Sequence, residues 1–83
     1  MIRDDMIMPN VRVSVLIHAV GKRILEASTE IGNIEGVKKV HVLVGPFDAI
    51  AYAELSSIDE LRQLLDNIHN IEGITRTETC IAI

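Results

Sequence analysis

From Val11 the chain alternates apolar and polar side chains, Val-Arg-Val-Ser-Val, and then enters a short apolar run, Leu16-Ile17, before His18. A period of two marks a strand with one buried face, so the first strand starts at Val11. The period then changes. Ile24, Ala27, Ile31 and Ile34 recur at spacings of three and four, which predicts an amphipathic helix from about Lys22 to Ile31. Gly32-Asn33 supplies its stop. Next, Val40, Val42 and Val44 alternate with His41 and Leu43, and after Gly45-Pro46-Phe47-Asp48 the alternation resumes through Ile50, Tyr52 and Glu54. Two β-type runs around a Gly-Pro turn predict a hairpin with a longer-than-minimal loop. In that loop Gly45 offers unusual backbone angles and Pro46 fixes its own φ. Ser57-Ile-Asp-Glu60 reads as a capping box, opening a helix whose buried stripe is Leu61, Leu64, Leu65, Ile68 and Ile71. The Thr- and Ile-rich run from Ile74 to Ile83 predicts a fourth strand.

The order is β-α-β-β-α-β, and an internal repeat says so independently. Asn33-Ile-Glu-Gly-Val37 recurs as Asn70-Ile-Glu-Gly-Ile74. At the same offset Ile24, Ala27 and Ile31 fall on Leu61, Leu64 and Ile68, and the first strand falls on the third. Two βαβ halves in one chain predict an α+β, ferredoxin-like domain: an antiparallel sheet with both helices on one face. Each Gly after a helix lets the chain reverse, and Glu35 and Glu72 are read as solvated. Residues 1–9 carry charges, end at Pro9 and are read as a loosely attached tail before a domain over 10–83.

That architecture leaves the second sheet face open. If Val11, Val13, Val15 and Ile17 turn toward the helices, the opposite face carries Arg12, Ser14, Leu16 and His18. Leu43 joins it, with either Ala49, Ala51 and Ala53 or Ile50 and Tyr52, depending on register. Such a face is too apolar for water alone, so sheet-to-sheet association into a homo-oligomer is expected.

Composition narrows the function. The chain has 83 residues, a net charge of −4, and 48% apolar residues. An acidic balance with Lys22-Arg23 and Lys38-Lys39 as its only basic doublets argues against direct nucleic-acid binding. Phe47 and Tyr52, the two aromatics, make no stacking platform. The lone Cys80 forms no internal disulfide, which predicts a reducing, cytoplasmic setting. No apolar run reaches membrane-spanning length, so no membrane contact is expected.

Catalytic and metal signals are weak. His18, His41 and His69 belong to no His-x-x-x-His or Cys-x-x-Cys pair, so no metal site is predicted. His69 sits where a helix C-terminus favours a cation. Cys80 lacks an activating neighbour in sequence. The adjacent carboxylates are not a spaced acid/base pair, and there is no Gly-rich phosphate loop. The turn is more suggestive. Gly45-Pro46-Phe47-Asp48 combines bare backbone, a rigid ring, an apolar plate and a carboxylate, a set suited to an α-amino acid. Thr75, Thr77 and Thr79 share one face of the last strand and can add hydroxyls. Equally, Asp48 can simply close the hairpin and the threonines can be a β-propensity stripe.

The segment Val-Leu-Val-Gly-Pro-Phe-Asp-Ala-Ile-Ala at 42–51 resembles the Gly-x-Tyr/Phe-Asp segment of the C-terminal RAM domain of the Lrp/AsnC family. Ile34-Glu-Gly-Val37 resembles the stretch before that domain's second strand, and Ile71-Glu-Gly-Ile-Thr-Arg-Thr-Glu-Thr79 its Pro-Gly-Val-x-x-Thr-x-Thr ending. The resemblance covers residues 11–83. It implies a dimeric α+β barrel whose sheets pack face to face, with dimers assembling into octameric or decameric rings. It also implies a small effector, usually an amino acid, bound between dimers at Gly45, Pro46, Phe47 and Asp48, with Thr77 and Thr79. Phe47 stands where Tyr is frequent, and Val44 where Thr is common. Family regulators carry a helix-turn-helix domain before this module, and about ten residues precede the first strand here. The expectation is therefore a stand-alone sensing module without a cofactor, neither an enzyme nor a DNA binder, acting alone or with a full-length Lrp/AsnC regulator. The alternatives are a small oxygenase- or isomerase-like barrel enzyme using Tyr52, His18 and His41, or a purely structural assembly protein. An ACT domain shares the strand order, but its Asp-x-Pro-Gly opening is absent after the first strand.

Overall fold

The computed structural model describes residues 11–20 and 23–82. The tail read over 1–9 and the Gly21-Lys22 step lie outside these residues. The elements run β1 (Val11–Ala19), α1 (Ile24–Gly32), β2 (Val37–Val42), β3 (Ala49–Leu55), α2 (Asp59–His69) and β4 (Ile74–Ile81). The strands form one antiparallel sheet in the order β2-β3-β1-β4. This is the ferredoxin-like βαββαβ arrangement that the periodicity predicts.

Both helices cover one sheet face, and the register shows which side chains they meet. Val13, Val15 and Ile17 of β1 lie opposite Ala53, Ala51 and Ala49 of β3, and all six are buried. The helices contribute Ala27 and Ile31 from α1 and Leu64 and Ile68 from α2. The core is therefore graded in size. β1 supplies branched side chains, while β3 supplies a row of alanines on which the helices sit close.

The register also resolves the open face. Because Ala49, Ala51 and Ala53 turn inward, Ile50, Tyr52 and Glu54 turn outward beside Leu16, Ser14 and Arg12. β2 adds His41 and Lys39 next to Ile50 and Tyr52. β4 adds Arg76, Glu78 and Cys80 next to His18, Leu16 and Ser14.

The repeated pentapeptides fold alike. Ile34 N–H donates to Ile31 O at 3.0 Å and Ile71 N–H to Ile68 O at 3.1 Å. Gly36 and Gly73 then take φ of 95° and 97°, the left-handed region that glycine enters without a Cβ penalty. Gly45 differs from expectation. It is not among the positive-φ glycines, and a Cβ there would meet nothing within 4 Å. The loop is long enough to reverse without a left-handed residue.

Two local expectations are corrected. The predicted capping box forms only in part and one residue earlier: Glu60 Oε1 accepts from Ser56 N–H at 3.0 Å, while the cap position is taken by Ile58. The threonine stripe is also broken. The β1–β4 register shifts between His18 and Ala19, leaving Thr75 unpaired between Ile74 and Arg76. Its hydroxyl donates to His18 O at 3.2 Å.

Candidate functional site

The β2–β3 turn is anchored at its base. Leu43 N–H donates to Asp48 O, and Asp48 N–H donates to Ile17 O, both at 2.8 Å. The Asp48 carboxylate reaches further along β1, where Oδ2 accepts from Ala19 N–H at 2.8 Å. Asp48 therefore does close the hairpin, against a different strand from the one it follows. Its second oxygen, Oδ1, has no hydrogen-bond partner among the described residues. Between these anchors the backbone is bare. Val44, Gly45 and Phe47 have N–H groups that donate to nothing among the described residues, and Pro46 has none to offer.

Phe47 folds over the outer face and packs on His18, with ring centroids 4.6 Å apart and planes tilted by 42°. His41 and Tyr52 form an edge contact at 6.1 Å on the same side. Val42, Leu43 and Val44 are exposed, Val44 completely.

The threonines reach the same end of the sheet by another route. Thr77 lies opposite Ile17, which Ala49 flanks on its other side. It therefore shares the helix-facing side of the sheet, and its hydroxyl meets His69 Nε2 at 3.1 Å. Thr79 lies two positions along, opposite Val15. The structure thus brings Asp48 and Thr77 to either side of β1's end, with Phe47 on the outer face and Thr77 and Thr79 on the inner one. His69 follows the helix-end reading and adds a link to β4.

Two clefts among the described residues leave the turn out. One, of ≈ 440 Å³, lies at the opposite end of β3, beneath the start of α2. Another, of ≈ 320 Å³, lies on the open face beside Arg12, Ser14 and Tyr52. Among the described residues no group of three or more His, Cys, Asp or Glu is placed to hold a metal ion, and no helix is long and apolar enough to cross a membrane.

The strand order and the two helices on one face define a small α+β module of the ferredoxin-like class. The family profile described as Lrp/AsnC ligand binding domain matches residues 12–83, and the chain belongs to that family. It is similar to TTHA0845 from Thermus thermophilus, with a TM-score of 0.84 and 31% identity over 88% of this chain and 92% of that one. Escherichia coli AsnC has the same fold at a TM-score of 0.84 and 21% identity, over 100% of this chain and 57% of AsnC. So does the transcriptional regulator NMB0573 of Neisseria meningitidis, solved as its L-Met complex, at a TM-score of 0.81 and 12% identity, over 100% of this chain and 56% of that one. No curated protein sequence matches the chain.

Proposed function

We propose that this protein is an amino-acid sensing and assembly module. The ligand's carboxylate takes the bare N–H groups of Val44, Gly45 and Phe47, and its ammonium takes Asp48 Oδ1. The observation that carries this reading is three backbone donors and one carboxylate oxygen without intrachain partners in a turn hydrogen-bonded at its base. Pro46 and Phe47 supply the apolar wall, while Thr77 and Thr79 lie across β1 on the helix-facing side and border the site less directly. Membership of a ligand-binding family supports a binder over an enzyme, and the L-Met complex of a protein with this fold supports the ligand class.

The site is completed by a second copy. Leu16, Ile50 and Tyr52 form an apolar centre on the uncovered sheet face, framed by Arg12, Lys39, Arg76 and Glu78, a pattern of apolar core and charged rim suited to sheet-on-sheet packing. Dimers, and rings built from them, then close the turn against a neighbour. Ligand shifts the assembly because it prefers one arrangement, and the effect passes to a full-length regulator of the family in the cytoplasm.

Isothermal titration with each of the twenty amino acids tests the site. Saturable heat with a subset is expected, and Asp48→Asn, which keeps an oxygen for Ala19 N–H but removes the charge, abolishes it. No heat with any of them, or unchanged affinity in Asp48→Asn, overturns the proposal.

A further inference from the structure

The open sheet face carries two of the chain's three histidines, and each stands beside a fixed cation. His18 of β1 lies directly opposite Arg76 of β4. His41 of β2 lies opposite Ile50, two positions from Lys39 on the same side of its strand. Both rings make aromatic contacts: Phe47 packs on His18 with centroids 4.6 Å apart, and Tyr52 meets His41 at 6.1 Å. Among the described residues neither imidazole is ion-paired to a carboxylate. Asp48, one step beyond the Ile17–Ala49 pair, accepts from the Ala19 N–H through Oδ2. Glu78 is taken by Arg76 at 3.2 Å. The remaining charges of this face are Arg12 and Glu54, with Lys38 at the β2 bulge beside them. Tyr52 and Cys80 gain no charge in acid. Cations therefore outnumber carboxylates before either histidine is protonated.

Histidine is the side chain whose charge changes between about pH 5 and pH 8. On a sheet open to water the added protons are tolerated. Between two stacked sheets each one puts an uncompensated cation out of water beside another, and a two-fold pair of copies doubles the count. Linkage fixes the sign. Separated chains bind protons more readily than associated ones, so association is fully present at the alkaline end of this range and is lost as pH falls. The charge of the whole chain acts the other way. It is −4 with the histidines neutral, so their protonation brings it toward zero, which by itself draws copies together.

We propose that His18 and His41 make the open face a pH-sensitive switch, which holds two copies together while both imidazoles are neutral and releases them when both are protonated. The inference rests on the reading that a second copy covers this face. His69, on the helix-facing side with Thr77, takes no part.

Sedimentation velocity of the full chain at equal ionic strength is the test. It compares about pH 8 with the lowest value, down to about pH 5.5, at which circular dichroism is unchanged. Association at the upper value is expected to weaken by about tenfold or more at the lower. The double variant His18→Gln/His41→Gln associates at both values, and His69→Gln responds like the parent. If the double variant does not fold, the two single variants decide, each losing part of the response. Association that stays equal or tightens in acid, or histidine variants as pH-sensitive as the parent, overturns this proposal and leaves the interface standing. A single-chain mass at both values overturns the interface as well.

Discussion

The Asp48 carboxylate accepts a hydrogen bond from the backbone N–H of Ala19 at 2.8 Å, across 29 residues of sequence. This bond ties the β2–β3 turn to the end of β1, so under the proposed function one side chain serves both folding and binding. Asp48→Ala leaves the part-buried Ala19 N–H without its acceptor and should cost about 1–3 kcal/mol of stability. Asp48→Asn should retain most of that stability. Urea unfolding of the two variants separates the roles: equal losses would show that charge, rather than an acceptor oxygen, holds the turn.

The glycines make a graded prediction. Gly36→Ala places a Cβ 3.1 Å from Leu55 Cδ2 and 3.4 Å from Glu54 O at φ 95°, whereas Gly73→Ala meets Arg23 Cβ at 3.4 Å at φ 97°. Both should lower stability by about 1 kcal/mol or more, with Gly36→Ala the worse. Gly45→Ala should leave the thermal midpoint unchanged, because a Cβ there meets nothing within 4 Å, and should weaken binding of the proposed amino-acid ligand. A midpoint drop in Gly45→Ala matching that of Gly36→Ala would contradict the assignment of their roles.

Much of the fold was legible because each half carries its own period. Val13, Val15 and Ile17 announce a strand, Ala27 and Ile31 a helix, and the repeated Asn-Ile-Glu-Gly turns announce the duplication. Register was not legible, since alanine and isoleucine both fit a strand. Only pairing with β1 shows that Ala49, Ala51 and Ala53 lie beneath the helices and Ile50 and Tyr52 lie outside. The turn stood out in sequence through Gly45-Pro46-Phe47-Asp48, but the partner of Asp48 did not, because Ala19 contributes backbone alone. Nor did the bulge that removes Thr75 from the stripe.

The two faces of β3 should respond oppositely to substitution. Ala51 is 0% exposed, so Ala51→Leu overpacks the helix interface and should cost about 1–3 kcal/mol. Ile50→Glu, one residue away on the open face, should leave the protomer folded and reduce its association. Circular dichroism paired with sedimentation velocity checks both outcomes, and an Ile50→Glu chain that associates like the parent would move the interface elsewhere.

The central claim is that copies of this chain cover each other's open sheets and that amino acids act where the copies meet. Light scattering of the purified protein, with and without a mixture of the twenty amino acids, tests it most directly. The account predicts a mass of at least two chains and a shift in mass or size when the mixture is added. A single-chain mass that the mixture leaves unchanged would contradict it.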